Sequence, residues 1–305
     1  MARQFTAEAR PIVGQLAVIV SLGTRSVLSA GSLDLSVVSW PVAKSVSPRP
    51  RALLVHGLAS NALLWEPAAE ELGRRGWECV GVDLRGHGHS DKPDTGYDHV
   101  TVADDCSRVL DALGWDRAVV LGQSWGANIA VEVAGTDSRI IGAVAVDGGT
   151  IELGSLFPTW EDCEAAMAPP PFSGMPYAQM ANNMHTWHPD WSPRAVAGAL
   201  ACFERLDDGT VRPWLTRFRH LAILRDLWSY RITETYARIS CPFLFTPADS
   251  GDVGWAANKR HSVERALSEL VRGEVTWFPG ADHDLHAQKP VEFAEAVDIW
   301  WENNQ

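Results

Sequence analysis

One serine of this chain has neighbours that suit it to act as a nucleophile. It lies in the pentapeptide G-Q-S-W-G, in which Gly122 and Gly126 flank Ser124 at two residues on either side. A sharp turn from a strand into a helix crowds the backbone, so both flanking positions need small residues, and the serine is presented above the sheet. The start of the following helix favours developing negative charge. The spacing predicts a serine that attacks a carbonyl carbon when a general base lies nearby.

A histidine near the end of the chain can serve as that base. His283 lies in the string G-A-D-H-D-L-H, directly after the predicted strand Glu274–Phe278. From there it can reach Ser124 across the ends of the sheet. His286, three residues later, is the alternative base, but it is better explained as part of the helix that follows.

The imidazole ring also needs a carboxylate to orient it, and three aspartates compete for this role. In strand–turn–helix sites of this kind the acid lies between the serine and the histidine in chain order. Asp249 and Asp252 follow the predicted strand Pro242–Thr246, and Asp249, which is nearer to the strand end, is the first choice. Asp147, after the predicted strand Ile140–Val146, is the third candidate. Loop aspartates often only form turns, so the assignment depends on position.

A second glycine-containing loop can supply hydrogen-bond donors to the reacting oxygen. In the string L-L-V-H-G-L-A-S, His56 and Gly57 end an early strand. The glycine permits a tight turn, so that the N–H of Leu58 points at the nucleophile and forms an oxyanion hole with the N–H of Trp125. His56 is either a second candidate base or, preferably, a structural histidine that braces the loop. His56 and Gly57 are also candidate substrate contacts.

These groups require elements that bring them to one edge of a sheet. Short apolar runs alternate with stretches of helical spacing, after an early pair of strands that begins near residue 26. The predicted buried strands are Ala52–His56, Cys79–Asp83, Ala118–Leu121, Ile140–Val146, Pro242–Thr246 and Glu274–Phe278, and the predicted helices are Trp65–Arg75, Thr101–Leu113, Ser124–Ala134, Trp255–Leu270 and Val291–Trp301. This alternation is typical of an α/β fold with a mostly parallel central sheet flanked by helices.

The alternation stops between residues 150 and 232, where Trp, Pro and Met are frequent and no strand-like run occurs. We interpret this part as a helical cap, called the cap segment (residues 150–232), inserted into a core of residues 26–149 and 233–305. Residues 1–25 form an N-terminal extension. The aromatic side chains of the cap segment, Trp160 and Trp187 among them, either line a substrate pocket or build the core of the cap.

Composition excludes several classes of function. The 305 residues carry a formal net charge of −12, which disfavours nucleic acids and anionic membrane surfaces as partners. Five scattered cysteines without a C-x-x-C pair are typical of a reducing compartment, so we expect a cytoplasmic protein. The apolar stretch Ile12–Leu22 resembles a weak secretory signal, but Gln15 interrupts it and no small-residue cleavage site follows. No stretch is long enough to span a bilayer.

Four strings in this order, H-G-L-A-S, D-L-R-G-H-G-H-S-D, G-Q-S-W-G and G-A-D-H-D-L-H, resemble the motifs of the α/β-hydrolase superfamily over about residues 26–301. The resemblance implies a catalytic triad of Ser124, Asp249 and His283, with oxyanion-hole donors at Leu58 and Trp125. The second string, Asp83 to Asp91, matches a loop that is usually structural, in which Arg85 and His87 bond locally. Members often have glycine where this chain has Asp282, and an acidic residue there either raises the pKa of His283 or faces solvent.

The resemblance implies a serine hydrolase that cleaves a carboxylic ester, lactone or thioester of a small to medium hydrophobic substrate through an acyl-enzyme. The expected partner is a small molecule. This mechanism needs no metal or organic cofactor, so none is expected. His185 and His188 lie three residues apart, but a metal there is disfavoured because no third ligand is evident. Carbon–carbon bond hydrolases and cofactor-free perhydrolases use the same triad and stay open, as does a non-catalytic receptor. Epoxide hydrolases and haloalkane dehalogenases are disfavoured, because the similarity would require a carboxylate at position 124.

Overall fold

The structure is a computed structural model that describes residues 21–43, 46–251 and 253–305, without the side chains of residues 253–256. The strands are β1 (Thr24–Ala30), β2 (Leu33–Ser39), β3 (Arg51–Val55), β4 (Glu78–Val82), β5 (Ala118–Gln123), β6 (Ile140–Val146), β7 (Met175–Pro176), β8 (Phe203–Arg205), β9 (Thr210–Pro213), β10 (Phe243–Thr246), β11 (Ala248–Asp249), β12 (Gly273–Val275) and β13 (Phe278–Pro279). The α-helices are α1 (Glu66–Arg74), α2 (His99–Leu113), α3 (Trp125–Thr136), α4 (Trp160–Met167), α5 (Tyr177–Trp187), α6 (Pro193–Leu200), α7 (Arg217–Ser229), α8 (Thr233–Tyr236), α9 (Val253–Glu269), α10 (Leu285–Gln288) and α11 (Pro290–Asn303). Residues 1–20, which include most of the stretch Ile12–Leu22 and most of the predicted N-terminal extension, lie outside the described residues, as does Asp252.

A central sheet of eight strands has the order β1-β2-β4-β3-β5-β6-β10-β12. The pairs from β4 to β12 are parallel, whereas β2 pairs antiparallel with both β1 and β4. The predicted mostly parallel sheet is therefore confirmed. The predicted strand Glu274–Phe278 is divided, because the chain leaves the sheet edge after Val275 and β13 pairs with β11 instead of β10.

The two faces of the sheet are covered by different helices. Along the fully buried strand β5, Val120 packs into one apolar cluster with side chains of α2 and α3, whereas Val119 and Leu121 pack into a second cluster with side chains of α1 and α11. Each such side chain contributes about 1.5–3 kcal/mol when it is removed from water. This double burial holds the carboxyl ends of β3, β5, β6 and β10 together at one edge.

The cap segment contains α4 to α7, but it also contains a small antiparallel sheet of order β7-β9-β8. The prediction that this segment has no strands was wrong. Strands of two to four residues are too short to show an alternating pattern, and β8 and β9 are joined by a tight turn at Gly209, whose φ is 82°. The division of the chain into core and cap stays a prediction.

Candidate active site

Ser124 lies in a tight turn between β5 and α3, with φ 55° and ψ −120°, a conformation that costs energy for a residue with a side chain. The glycines of the pentapeptide make this turn possible. A Cβ atom on Gly122 would lie 2.0 Å from the carbonyl oxygen of Gly126, and one on Gly126 would lie 2.4 Å from that of His56. The N–H of Ser124 donates to the carbonyl of Val146 at 2.9 Å, which ties the turn to the end of β6.

The imidazole of His283 is held by a carboxylate from a neighbouring strand. Its Nδ1 lies 2.7 Å from Oδ2 of Asp147, the residue that follows β6 and has a positive φ of 42°. The Asp147 side chain is only 5% exposed, whereas that of His283 is 53% exposed and lines a cavity that Ser124 also lines. This contact places the proton on Nδ1 and leaves Nε2 as the acceptor that a general base needs.

The structure does not bring Asp249 to His283. The Asp249 carboxylate lies 2.8 Å from Arg260 and accepts the N–H of Gly251 at 3.2 Å. The prediction that Asp249 is the carboxylate in contact with His283 was therefore wrong, because Asp147 makes that contact. The strands β6 and β10 are neighbours in the sheet, so both aspartates satisfy the chain-order requirement, but β11 pairs with β13 and carries Asp249 past the imidazole.

The electrostatics of this pair favour a charged carboxylate and a basic imidazole. Partial desolvation by the surrounding protein disfavours protonation of His283, but the hydrogen bond to Asp147 and the negative charges of Asp284 and Asp147 outweigh it, so the pKa of His283 is raised. Burial likewise opposes ionisation of Asp147, but contacts with His283 and Lys259 keep the pKa of this carboxyl below its usual value.

We expect the raised pKa of His283 to set the acidic limb of the activity profile. A general base must be neutral, so kcat/KM falls as pH drops through the pKa of His283. Because this pKa is raised, the midpoint of the limb should lie above 6.5, the ordinary value for histidine. Measurement of kcat/KM from about pH 5 to 9 tests this. A midpoint at or below the ordinary value would contradict it.

The two predicted oxyanion-hole donors are the backbone N–H groups of Leu58 and Trp125. Neither N–H has a hydrogen-bond acceptor among the described residues, so both are available to a ligand. Gly57 lets their loops approach, because a Cβ atom there would lie 2.3 Å from Oε1 of Gln123 and 3.1 Å from Cβ of Ser124. The proposed donor positions thus lie at the base of the Ser124 turn.

His56 braces this loop and does not line a substrate cavity. Its Nε2 accepts the N–H of Leu84 at 3.0 Å, and its Nδ1 lies 2.8 Å from the carbonyl of Gly57. The residue is 1% exposed, and burial lowers its pKa. The interpretation of His56 as structural agrees with these contacts, whereas its burial gives no support to the candidate role as a substrate contact.

Two cavities meet at the candidate nucleophile. The larger, of about 940 Å³, lies under the cap segment and is lined by Gly57, Leu58 and Trp187 among others. The smaller, of about 340 Å³, extends along β6 toward α9. Three residues line both cavities: Ser124, Met167 and His283. Trp160 lines neither cavity, and its ring instead packs against Trp228 and Arg225, so these cavities give no support to its candidate role as a substrate contact.

The other predicted site residues of the His283 loop have structural contacts. Asp282 accepts the indole N–H of Trp191 at 2.9 Å and lies 3.7 Å from Nδ1 of His188, so it contacts the cap segment while its side chain stays 36% exposed. His286 is buried against the ring of Trp65 at 4.3 Å, and burial lowers its pKa to about 3. A buried, neutral imidazole without a carboxylate partner does not act as the base.

No group of three or more His, Cys, Asp or Glu side chains within the described residues could hold a metal ion. Over the same part of the chain, no helix combines the length and apolar character that a bilayer crossing requires.

Comparison with known proteins shows the family to which the chain belongs. A sequence model described as the alpha/beta hydrolase family matches residues 52–296. The chain belongs to the alpha/beta hydrolase family. The match includes the turn at Ser124, the aspartate at 147 and the histidine at 283, and the fold predicted from the sequence motifs is thereby confirmed.

Individual members of the alpha/beta hydrolase family show how far the likeness extends. The chain is 42% identical to the AB hydrolase superfamily protein YisY of Bacillus subtilis over 79 residues, 26% of this chain and 30% of that protein. It is 37% identical to 2-(acetamidomethylene)succinate hydrolase of Mesorhizobium japonicum over 99 residues, 32% of this chain and 35% of that protein. Both alignments therefore span about a third of the relatives' own length. A soluble epoxide hydrolase of Corynebacterium sp. is 27% identical over 256 residues, 81% of this chain and 79% of that protein.

Solved structures of other alpha/beta hydrolases share the fold. E-2-(acetamidomethylene)succinate hydrolase superposes with a TM-score of 0.75 at 24% identity, covering 92% of this chain and 99% of that one. The thioesterase domain from the curacin biosynthetic pathway gives a TM-score of 0.72 at 20% identity, covering 90% and 99%. At these identities the likeness concerns the fold alone.

Proposed function

We propose that this alpha/beta hydrolase is a serine esterase that cleaves carboxylic esters, or the related lactones and thioesters, through an acyl-enzyme. One observation carries the proposal. Nδ1 of His283 contacts the buried Asp147 at 2.7 Å, and the imidazole shares a cavity with Ser124 in its positive-φ turn. A nucleophile, a base and an orienting acid are the groups that acyl transfer needs.

In this mechanism Nε2 of His283 takes the hydroxyl proton as Oγ of Ser124 bonds to the carbonyl carbon. The N–H groups of Leu58 and Trp125 donate to the oxygen of the tetrahedral intermediate. The imidazolium, stabilised by Asp147, then gives its proton to the leaving alcohol as the ester bond breaks. Water, deprotonated by the same imidazole, attacks the acyl-enzyme, and the serine hydroxyl is restored when the acid leaves.

The nature of the nucleophile disfavours the reaction named for the Corynebacterium relative. Attack of a serine hydroxyl on an epoxide carbon would form an ether, which has no carbonyl for water to attack, so the enzyme would stay blocked. A carboxylate nucleophile would form an ester instead, and water could release it. Position 124 holds serine, so acyl transfer fits the residue present.

The two cavities suggest the class of ester. They share Ser124, Met167 and His283 but otherwise have different lining residues, and apolar side chains form most of each lining. Among these are Phe172 and Leu215 in the larger cavity and Leu156 and Val263 in the smaller. We therefore favour an ester with a sizeable apolar group on both sides of the scissile bond over a small acetate ester.

A panel of esters in which the acyl and alcohol groups are lengthened separately tests both statements. The intact mass of an accumulated acyl-enzyme shows which bond of the ester is cleaved. If no ester is turned over, cleavage of the carbon–carbon bond in vinylogous substrates would favour the carbon–carbon bond hydrolase. Peroxide-dependent oxidation of carboxylic acids would favour the perhydrolase. Tight binding without any acyl-enzyme would favour a receptor.

Two exposed residues allow each cavity to be narrowed separately. Ser173 lines only the larger cavity and Leu156, which is 47% exposed, lines only the smaller. We expect Ser173→Trp to raise KM about tenfold for esters long on one side, and Leu156→Trp to do so for esters long on the other side. Steady-state kinetics with the panel measures this. The two-cavity interpretation is wrong if both substitutions penalise the same side, or if neither has an effect.

A further inference from the structure

The carboxylate that orients His283 has a third partner that an orienting acid does not require. Oδ2 of Asp147 serves the imidazole, whereas Oδ1 accepts the N–H of Ala248 at 2.9 Å and Nζ of Lys259 at 2.6 Å. Lys259 also donates to the carbonyl of Ala248 at 2.8 Å. The carboxylate is 5% exposed and the lysine side chain 27%, so this ion pair is largely withdrawn from water.

We propose that Lys259 is a positioning residue, which fixes Asp147 in the orientation that serves His283 and limits how strongly this carboxylate holds a proton on the imidazole. The inference rests on the proposed function only in taking His283 as the general base.

Geometry supports the orienting role. A carboxylate can rotate about its Cβ–Cγ bond away from the orientation that serves Nδ1, and each unsatisfied buried oxygen costs free energy. Lys259 and the N–H of Ala248 together occupy Oδ1, so rotation would break two hydrogen bonds. Because Lys259 also donates to the Ala248 carbonyl, it links α9 to the start of β11 as well as to the acid.

Charge supports the second role. Asp147 carries one negative charge but faces two cations once His283 is protonated, so the lysine weakens the attraction between acid and imidazolium. Desolvation lowers the pKa of His283, whereas the contact with Asp147 and the charge of Asp284 raise it, with a raised pKa as the net result. The positive charge of Lys259 lowers this pKa and so limits the rise. Other titratable groups around the imidazole, among the described residues, are His286 of α10, which burial keeps neutral, and the pair of Asp282 and His188, which contact each other at 3.7 Å. Arg260, the next residue of α9, faces Asp249 instead.

The experiment follows the imidazole directly, by NMR titration of the His283 ring protons in the full-length protein. In Lys259→Met the His283 pKa should rise by about 0.5–1 unit, because a nearby positive charge is lost. The acidic limb of kcat/KM should move upward by the same amount, and the plateau kcat should fall about threefold to tenfold as Asp147 loses its anchor. Lys259→Arg keeps the charge and should return the titration close to that of the wild type.

Two further variants separate charge from fold. Lys259→Gln keeps a hydrogen-bond donor without the charge, so it should shift the titration like Lys259→Met even if the methionine variant unfolds. Arg260→Met removes an adjacent, half-exposed cation that serves Asp249 and should leave the titration unchanged. A lysine that only stabilises the fold would lower the melting temperature without moving the imidazole titration.

The outcomes distinguish the two proposals. An unmoved His283 titration in the folded Lys259→Gln and Lys259→Met proteins overturns the role of Lys259, whatever the esterase activity. A shifted titration in a protein that hydrolyses no ester leaves the positioning role intact and overturns the proposed function.

Discussion

Replacement of Ser124 by alanine is expected to lower ester turnover by about 10⁴-fold or more while the fold persists. The substitution removes the oxygen that attacks the carbonyl and leaves the oxyanion-hole donors in place. The turn itself should survive, because its close contacts are made by the flanking glycines and by the N–H of residue 124, which alanine retains.

Labelling with a fluorophosphonate probe, followed by measurement of the intact mass, tests whether Ser124 is the nucleophile. The wild type should gain a single adduct, which Ser124→Ala loses, while Ser268→Ala, a change on the outer part of α9, keeps it. Circular dichroism confirms that the variants are folded. An adduct that persists in Ser124→Ala would place the nucleophile elsewhere. A folded wild type that gains no adduct would favour a ligand-binding protein.

The second large effect concerns the acid. Asp147→Asn should lower kcat by about 10³–10⁴-fold, because an amide can no longer stabilise the imidazolium and can donate to Nδ1, which favours the wrong tautomer. The change also leaves Lys259 beside a neutral group, so some loss of stability is expected, and urea unfolding measures this separately from activity.

Asp249→Asn is the matched control for this experiment. It removes only an ion pair with Arg260, whose side chain is 52% exposed, and such pairs contribute about 0–1 kcal/mol to the free energy of unfolding. We expect kcat within about twofold of the wild type, since Asp249 does not contact the imidazole. The reverse result, a large loss in Asp249→Asn and a small one in Asp147→Asn, would restore the assignment made from sequence position.

The sequence by itself was sufficient for the parts of the site that depend on local backbone geometry. A Cβ atom on Gly122 would collide with Gly126 inside the turn itself, so the spacing around Ser124 predicts a strand–turn–helix from the local sequence. Gly126 and Gly57 also approach parts of the chain that are distant in sequence, and those close contacts are visible only in the tertiary structure. Apolar runs that alternate with helices likewise indicate a parallel sheet, because strands that are buried on both faces carry apolar side chains on both faces.

Tertiary structure alone decided which carboxylate meets His283. Asp147 and Asp249 follow adjacent strands, and both lie between the serine and the histidine in the chain. The choice depends on the pairing of β11 with β13, a contact between two-residue strands that leaves no pattern in the sequence. The contact of Lys259 with Asp147 joins residues 112 positions apart, and the meeting of two cavities at Met167 joins the cap segment to the core. Such contacts arise from packing between elements, whereas sequence patterns report only how each element folds on its own.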